Sequence, residues 1–171
     1  MQFFSLAQCV GYVAFVLGTF AFLQKNDRHL KILNGAQSLV YAVHFMLLGN
    51  LAAAASSTTS GVRNFIALKT RSPYVAALII AVNVAVGCIF AKSGWGWLPV
   101  IGSCAGTIAI VTLRGIPMRL VLLGGTSLWL ANNILSGSIG GTMLECVILT
   151  ANATTVFRLL SSRSKARLAD A

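Results

Sequence analysis

Seven apolar stretches of 16 to 19 residues follow one another along this chain, parted by short breaks. Each is close to the length that crosses about 30 Å of hydrocarbon. Hydrocarbon offers no water to a backbone N–H or C=O, so a crossing segment must satisfy its own hydrogen bonds, which makes it a helix. The spans are expected at 6–23, 32–48, 51–68, 74–91, 98–113, 120–135 and 142–160. Composition agrees. Of the 171 residues 57% are hydrophobic and only 9% charged, where a soluble domain is nearer a quarter charged. The fold class that follows is an all-α membrane protein with seven transmembrane helices.

A net charge of +10 on a soluble chain would suggest a nucleic-acid partner. Here the basic residues sit between hydrophobic stretches, as topology signals do. Lys25, Arg28 and Lys31 belong to the first break, Arg63, Lys69 and Arg71 to the third, Arg114 and Arg119 to the fifth. Arg158, Arg163, Lys165 and Arg167 follow at the C-terminal end, and only Lys92 lies on the other side. This asymmetry puts the C-terminus in the cytoplasm and the N-terminus outside, and it requires an odd number of crossings. The partner implied is the lipid bilayer, with no nucleic acid. Cys9, Cys88, Cys104 and Cys146 are scattered in apolar surroundings and suggest neither a disulfide framework nor a metal site. No HExxH or GxSxG motif occurs, and two histidines with three acids are little from which to build a hydrolase. No enzyme activity and no cofactor are expected.

The chain also reads as a repeat. Adding 88 to a residue number carries Tyr41 to Trp129, His44 to Asn132, Gly49 to Gly137, Ser57 to Glu145 and Asn64 to Asn152. A shift of 91 carries Gly11 to Gly102 and Ala14 to Ala105. The expected organisation is a first three-helix repeat over 1–70, a linker helix over 71–96, a second repeat over 97–160 and a basic cytoplasmic tail over 161–171. An even number of crossings separates the copies, so they are parallel, related by an axis along the membrane normal.

Glu145 is the acid that lies inside a hydrophobic stretch, since Asp27 belongs to a charged break and Asp170 is next to last. A lone ionisable group in a membrane span costs several kcal/mol unless it is paired or wetted, about 3 kcal/mol or more on insertion scales, which marks a functional candidate. Helical spacing places Gln37, Tyr41 and His44 on one face, and Trp129 with Asn132 or Asn133 on another. Ser57 and Asn64 are seven apart, as are Glu145 and Asn152. These ten residues are the candidate solute-binding set, expected to line a cavity where the repeats meet. Most also have a plainer role: Tyr41 and Trp129 as packing aromatics, His44 as a satisfied structural histidine, Asn64 and Asn152 as hydrogen-bonding glue between helices, Ser57 as a hydroxyl bonded to its own helix, and Glu145 as a structural partner for a tyrosine or histidine.

Two resemblances follow from these residues. Three helices, a linker and three helices resemble the SWEET and PQ-loop transporter superfamily, whose N-terminus is outside. Gly11-Tyr12-Val13-Ala14-Phe15 through Phe22-Leu23-Gln24 is similar to the first helix of its bacterial half-transporters, although Leu23 replaces the proline of the Pro-Gln pair. Trp129 and Glu145 stand at the spacing of that group's pocket tryptophan and pocket asparagine, with an acid as the second member. HFMLLGNLAAAAS (44–56), LPVIGS (98–103), Met118-Arg119 and above all GSIGGTMLE (137–145) resemble the YgjV-type bacterial inner-membrane protein family over almost the whole chain. The resemblance implies an inner-membrane location. The expected function is transport or facilitated passage of a small polar solute, by alternating access between the repeats. A non-transporting receptor or assembly factor is the alternative. Small-residue faces also permit a homodimer.

Overall fold

The computed structural model describes residues 3–24, 26–70, 72–113 and 115–169. Part of the charge pattern lies outside the described residues: Lys25, Arg71, Arg114 and Asp170 altogether, and the side chains of Phe22, Asp27 and residues 162–169, which include Arg163, Lys165 and Arg167. Among the described residues there are seven α-helices and no strand: α1 Leu6–Leu23, α2 Asp27–Leu47, α3 Leu51–Ile66, α4 Pro73–Phe90, α5 Leu98–Thr112, α6 Gly115–Leu135 and α7 Ile139–Ala169, with a 3₁₀ turn at Gly94–Trp97.

Local chemistry sets the boundaries. Ser5, Asn26 and Asn50 cap α1, α2 and α3, each side-chain oxygen accepting from a first-turn amide. Pro73 and Pro99 sit in the first turns of α4 and α5, where a missing N–H costs nothing. α2 and α6 begin five residues before the expected spans, so Lys31 and Arg119 are helical rather than loop residues. Hydropathy marks the part of a helix that sits in hydrocarbon, whereas the cap marks where the helix starts. α7 likewise begins at Ile139, ahead of the expected 142, and continues well past 160.

Three stretches are long and apolar enough to cross a bilayer by length and composition: Pro73–Phe90, Gly94–Thr112 and Ile139–Ser161. α1 contributes a shorter apolar stretch, Leu6–Ala21. In α2, α3 and α6 polar side chains lower the average, and many of these are turned inward. Gln37, Ser38 and His44, Ser56, Ser57 and Asn64, and Asn132 with Asn133 are all buried. Val43, Leu78, Ile89, Ile101, Met143 and Phe157 are exposed. Polar inside and apolar outside is the distribution a lipid solvent selects.

The helices close on themselves. α1 packs on α2, α2 on α3, α3 on α5, α5 on α6, α6 on α7 and α7 back on α1, while α4 leans on α3 and α5. Few α4 side chains are covered. One is Asn83, whose amide donates to the Val100 carbonyl of α5 at 3.0 Å. At the centre Ala14, Tyr41, Phe45, Ala53, Ala54 and Leu144 form a buried cluster, with Phe15, Trp129 and Ile148 packed on it.

Candidate functional site

The site is built outward from two tight corners. In the α2–α3 corner Gly49 takes φ +77°, and in the α6–α7 corner Gly137 takes φ +67°, a region glycine enters without steric cost. The backbone bonds match one for one. Leu48, Gly49 and Asn50 donate to His44, Met46 and Phe45, and Ser136, Gly137 and Ser138 donate to Asn132, Ile134 and Asn133. Asn50 then caps α3 by accepting from Ala53 N–H, as Ser138 accepts from Gly141 N–H.

Each cap also reaches across to the other corner. The Asn50 amide donates to Asn132 Oδ1 at 2.9 Å and to Ser136 Oγ at 2.7 Å. Ser138 Oγ meets His44 Nε2 at 2.8 Å, and His44 Nδ1 donates to the Ala7 carbonyl at 2.6 Å. A carbonyl only accepts, so Nδ1 carries a proton, and the Ser138 hydroxyl can complete the bond to Nε2 of a neutral ring. Gln8 fastens α1 to the same corner, donating to Gly137 O at 2.7 Å and accepting from Ile139 N–H at 3.1 Å. An open depression of about 530 Å³ lies over this corner, lined by Ser5, Gln8, Leu48, Ile134, Leu135, Ser136 and Gly137. None of the interior candidates Tyr41, Ser57 or Glu145 lines it.

Below the corner lies an aromatic layer. Tyr41 and Phe45 have ring centroids 5.6 Å apart, and Phe45 and Trp129 5.9 Å. Tyr41 and Trp129 are therefore linked through Phe45, a residue the sequence reading missed. Glu145 of α7 is half-buried and lies within electrostatic reach of Tyr41. It makes no hydrogen bond or ion pair with another described residue. The Tyr41 hydroxyl is buried with no hydrogen-bond partner, and so is Ser56 Oγ.

The other candidates separate by position. His44, Asn132 and Asn133 belong to the corner, all within 1% of full burial. Asn133 donates to the Trp129 carbonyl at 2.9 Å, which leaves its Oδ1 and the Asn132 Nδ2 without partners. Gln37 is buried beside Gly18 of α1, and Ser57 is buried on α3. Asn64 and Asn152 lie toward the opposite end. Asn152 Oδ1 accepts from Arg119 of α6 at 3.0 Å, while Asn64 Nδ2 is unpartnered.

One residue needs correcting. Arg63 was counted among the basic residues of a break, but it is buried in the last turn of α3. Its Nη1 donates to Thr107 Oγ1 of α5 at 3.0 Å, and its Nε has no partner. Its position inside the expected 51–68 span was the available signal. For Asn50 and Ser138 the signal was a capping residue directly after a corner glycine. Gln8 offered none, because its partners are about 130 positions away.

A closed bundle with a polar interior and an apolar exterior defines a polytopic helical membrane protein. Residues 5–163 match the family model of the bacterial inner membrane protein family Imp-YgjV, and the chain belongs to that family. It is 37% identical over 158 residues to the inner membrane protein YgjV of Escherichia coli strain K12, covering 92% of this chain and 86% of the relative. It is an inner-membrane protein. No solved structure matches it.

Proposed function

We propose that all seven helices cross the inner membrane as two parallel three-helix units, α1–α3 and α5–α7, joined by α4. The N-terminus lies outside and the C-terminus in the cytoplasm. Between the units a small polar solute passes by alternating access. Several correspondences support the repeat. α2 and α6 begin and end 88 residues apart, and so do the starts of α3 and α7. Lys31 donates to the carbonyl of Ala67, the residue that caps the end of α3, and Arg119, 88 residues on, donates to Asn152 of α7. The packing circuit is unchanged when α1, α2 and α3 are exchanged for α5, α6 and α7.

The observation that carries the functional reading is the pair of cross-unit bonds. His44 to Ser138 and Asn132 to Asn50 are one contact made twice, since 88 separates His44 from Asn132 and Asn50 from Ser138. Two equivalent seams close one end, and the units rock apart across them to open it. The polar groups without partners, Tyr41 Oη and Ser56 Oγ among them, lie deeper between the helices and would turn toward a solute. Glu145 coordinates the solute or carries a proton, and Trp129, Asn64 and Asn152 complete the path.

The test is counterflow in proteoliposomes with sugars, amino acids and nucleosides, comparing native protein with Glu145→Gln, with and without a pH gradient. Flux of one solute class that fails in the variant supports the reading. No flux of any class from folded protein would sink it and favour the receptor or assembly alternative.

A further inference from the structure

We propose that Glu145, Tyr41 and the rings of Phe45 and Trp129 form a binding site for a small organic cation, a protonated amine, which competes with a proton for Glu145. This names the solute class of the transport reading; the binding half stands without transport.

The argument starts from charge. Glu145 is the one carboxylate whose side chain the structure describes, and no described basic residue pairs with it. Arg119 of α6 is engaged by Asn152, seven residues along α7 from Glu145. The titratable side chains of α1 are Cys9 and Tyr12, which bond the Phe4 and Phe3 carbonyls beyond the start of that helix. From α2, Tyr41 packs in one buried cluster with Leu144, the residue beside Glu145, and lies within electrostatic reach of that carboxyl, and both nitrogens of His44 are held in the corner. A carboxylate so placed needs a positive partner, and the described residues supply none. Either a proton or a bound cation must fill the role.

Geometry then selects the cation. The Tyr41 hydroxyl belongs to a residue only 5% exposed and has no partner, so it is free to accept an ammonium N–H. The tilted rings of Tyr41, Phe45 and Trp129 continue from it, and aromatic faces attract cations and repel carboxylates. Ser57 stands where the repeat puts Glu145 in the second unit, so the charge is on one side only. Ammonium and proton compete for the same carboxylate oxygens, so a proton held there leaves for solvent when the ammonium binds.

The test uses three solutes of one shape, n-propylammonium, propionamide and propionate, added to purified full-length protein in detergent. Binding is read by Trp fluorescence and by proton release into weakly buffered solution. Saturable binding of propylammonium alone is expected, with up to about one proton released per chain, and an apparent affinity that falls as pH is lowered. Glu145→Gln should weaken it at least about tenfold and abolish proton release, as loss of a desolvated charge pair does. Glu145→Asp, which keeps the charge, should retain the preference for the cation and serves if the glutamine variant does not fold. Equal binding of propionamide, undiminished binding by Glu145→Gln, or affinity independent of pH would overturn the proposal. In proteoliposomes, propionate or sugar flux without propylammonium binding would sink this site and leave the transporter reading intact. Propylammonium binding without any flux would do the reverse.

Discussion

Gly140 and His44 show how residues were chosen for contacts made from afar. A methyl group on Gly140 would sit 2.5 Å from the Gly11 carbonyl oxygen, and backbone on both sides cannot step aside cheaply. Gly140→Ala is expected to lower stability by about 1–3 kcal/mol, read as the thermal midpoint in detergent; an unchanged midpoint would refute the close approach of α1 and α7. His44→Leu strands the Ala7 carbonyl and the Ser138 hydroxyl, each costing about 1–3 kcal/mol when buried. His44→Asn keeps a donor and an acceptor, and Asn132 already bonds the capping residue of the other corner. The asparagine variant should melt clearly above the leucine variant, and the same midpoint for both would deny the hydrogen-bonding role. Local patterns exposed part of this. Glycine before a capping residue is visible in sequence, whereas a partner across the bundle, such as Ser138 for His44, is a product of packing and leaves no local trace.

At the scale of elements, the corners carry the specification. Gly49 takes φ +77° with nothing within 4 Å of where a side chain would start, so its role is purely conformational. Gly49→Ala should cost about 1 kcal/mol through the backbone alone. Gly124→Ala, equally open but at an ordinary helical φ, should leave the thermal midpoint unchanged or raise it. Equal effects at the two positions would contradict the corner assignment. Hydropathy located all seven helices, since each has an apolar core. It misplaced the starts of α2, α6 and α7, because Arg28, Lys31, Arg119 and Gly140 are poor markers of hydrocarbon yet belong to helices. Arg63 was misread for a related reason. A basic residue near a span end resembles a topology signal until Thr107 of α5 is brought beside it.

For the whole molecule, the proposed topology sets Lys92 on the outer side and the C-terminal segment in the cytoplasm. In a cysteine-free background, Lys92→Cys should react with an impermeant thiol reagent in spheroplasts, and Ser164→Cys only after the membrane is opened. Labelling of both from outside would contradict the odd number of crossings. The paired glycine corners were legible in outline, from Gly49 with Gly137. The bonds from His44 to Ser138 and from Asn50 to Asn132 were not, since a matched pair of glycines is silent on which positions touch. The central claim is that the two units move against each other across those bonds. It is tested most directly by Asn50→Cys with Ser136→Cys in that cysteine-free background, bridged by a short, reducible thiol cross-linker, with solute counterflow measured before bridging, after bridging and after reduction. Flux should stop when the bridge forms and return when it is reduced. Full flux through quantitatively bridged protein would contradict the claim.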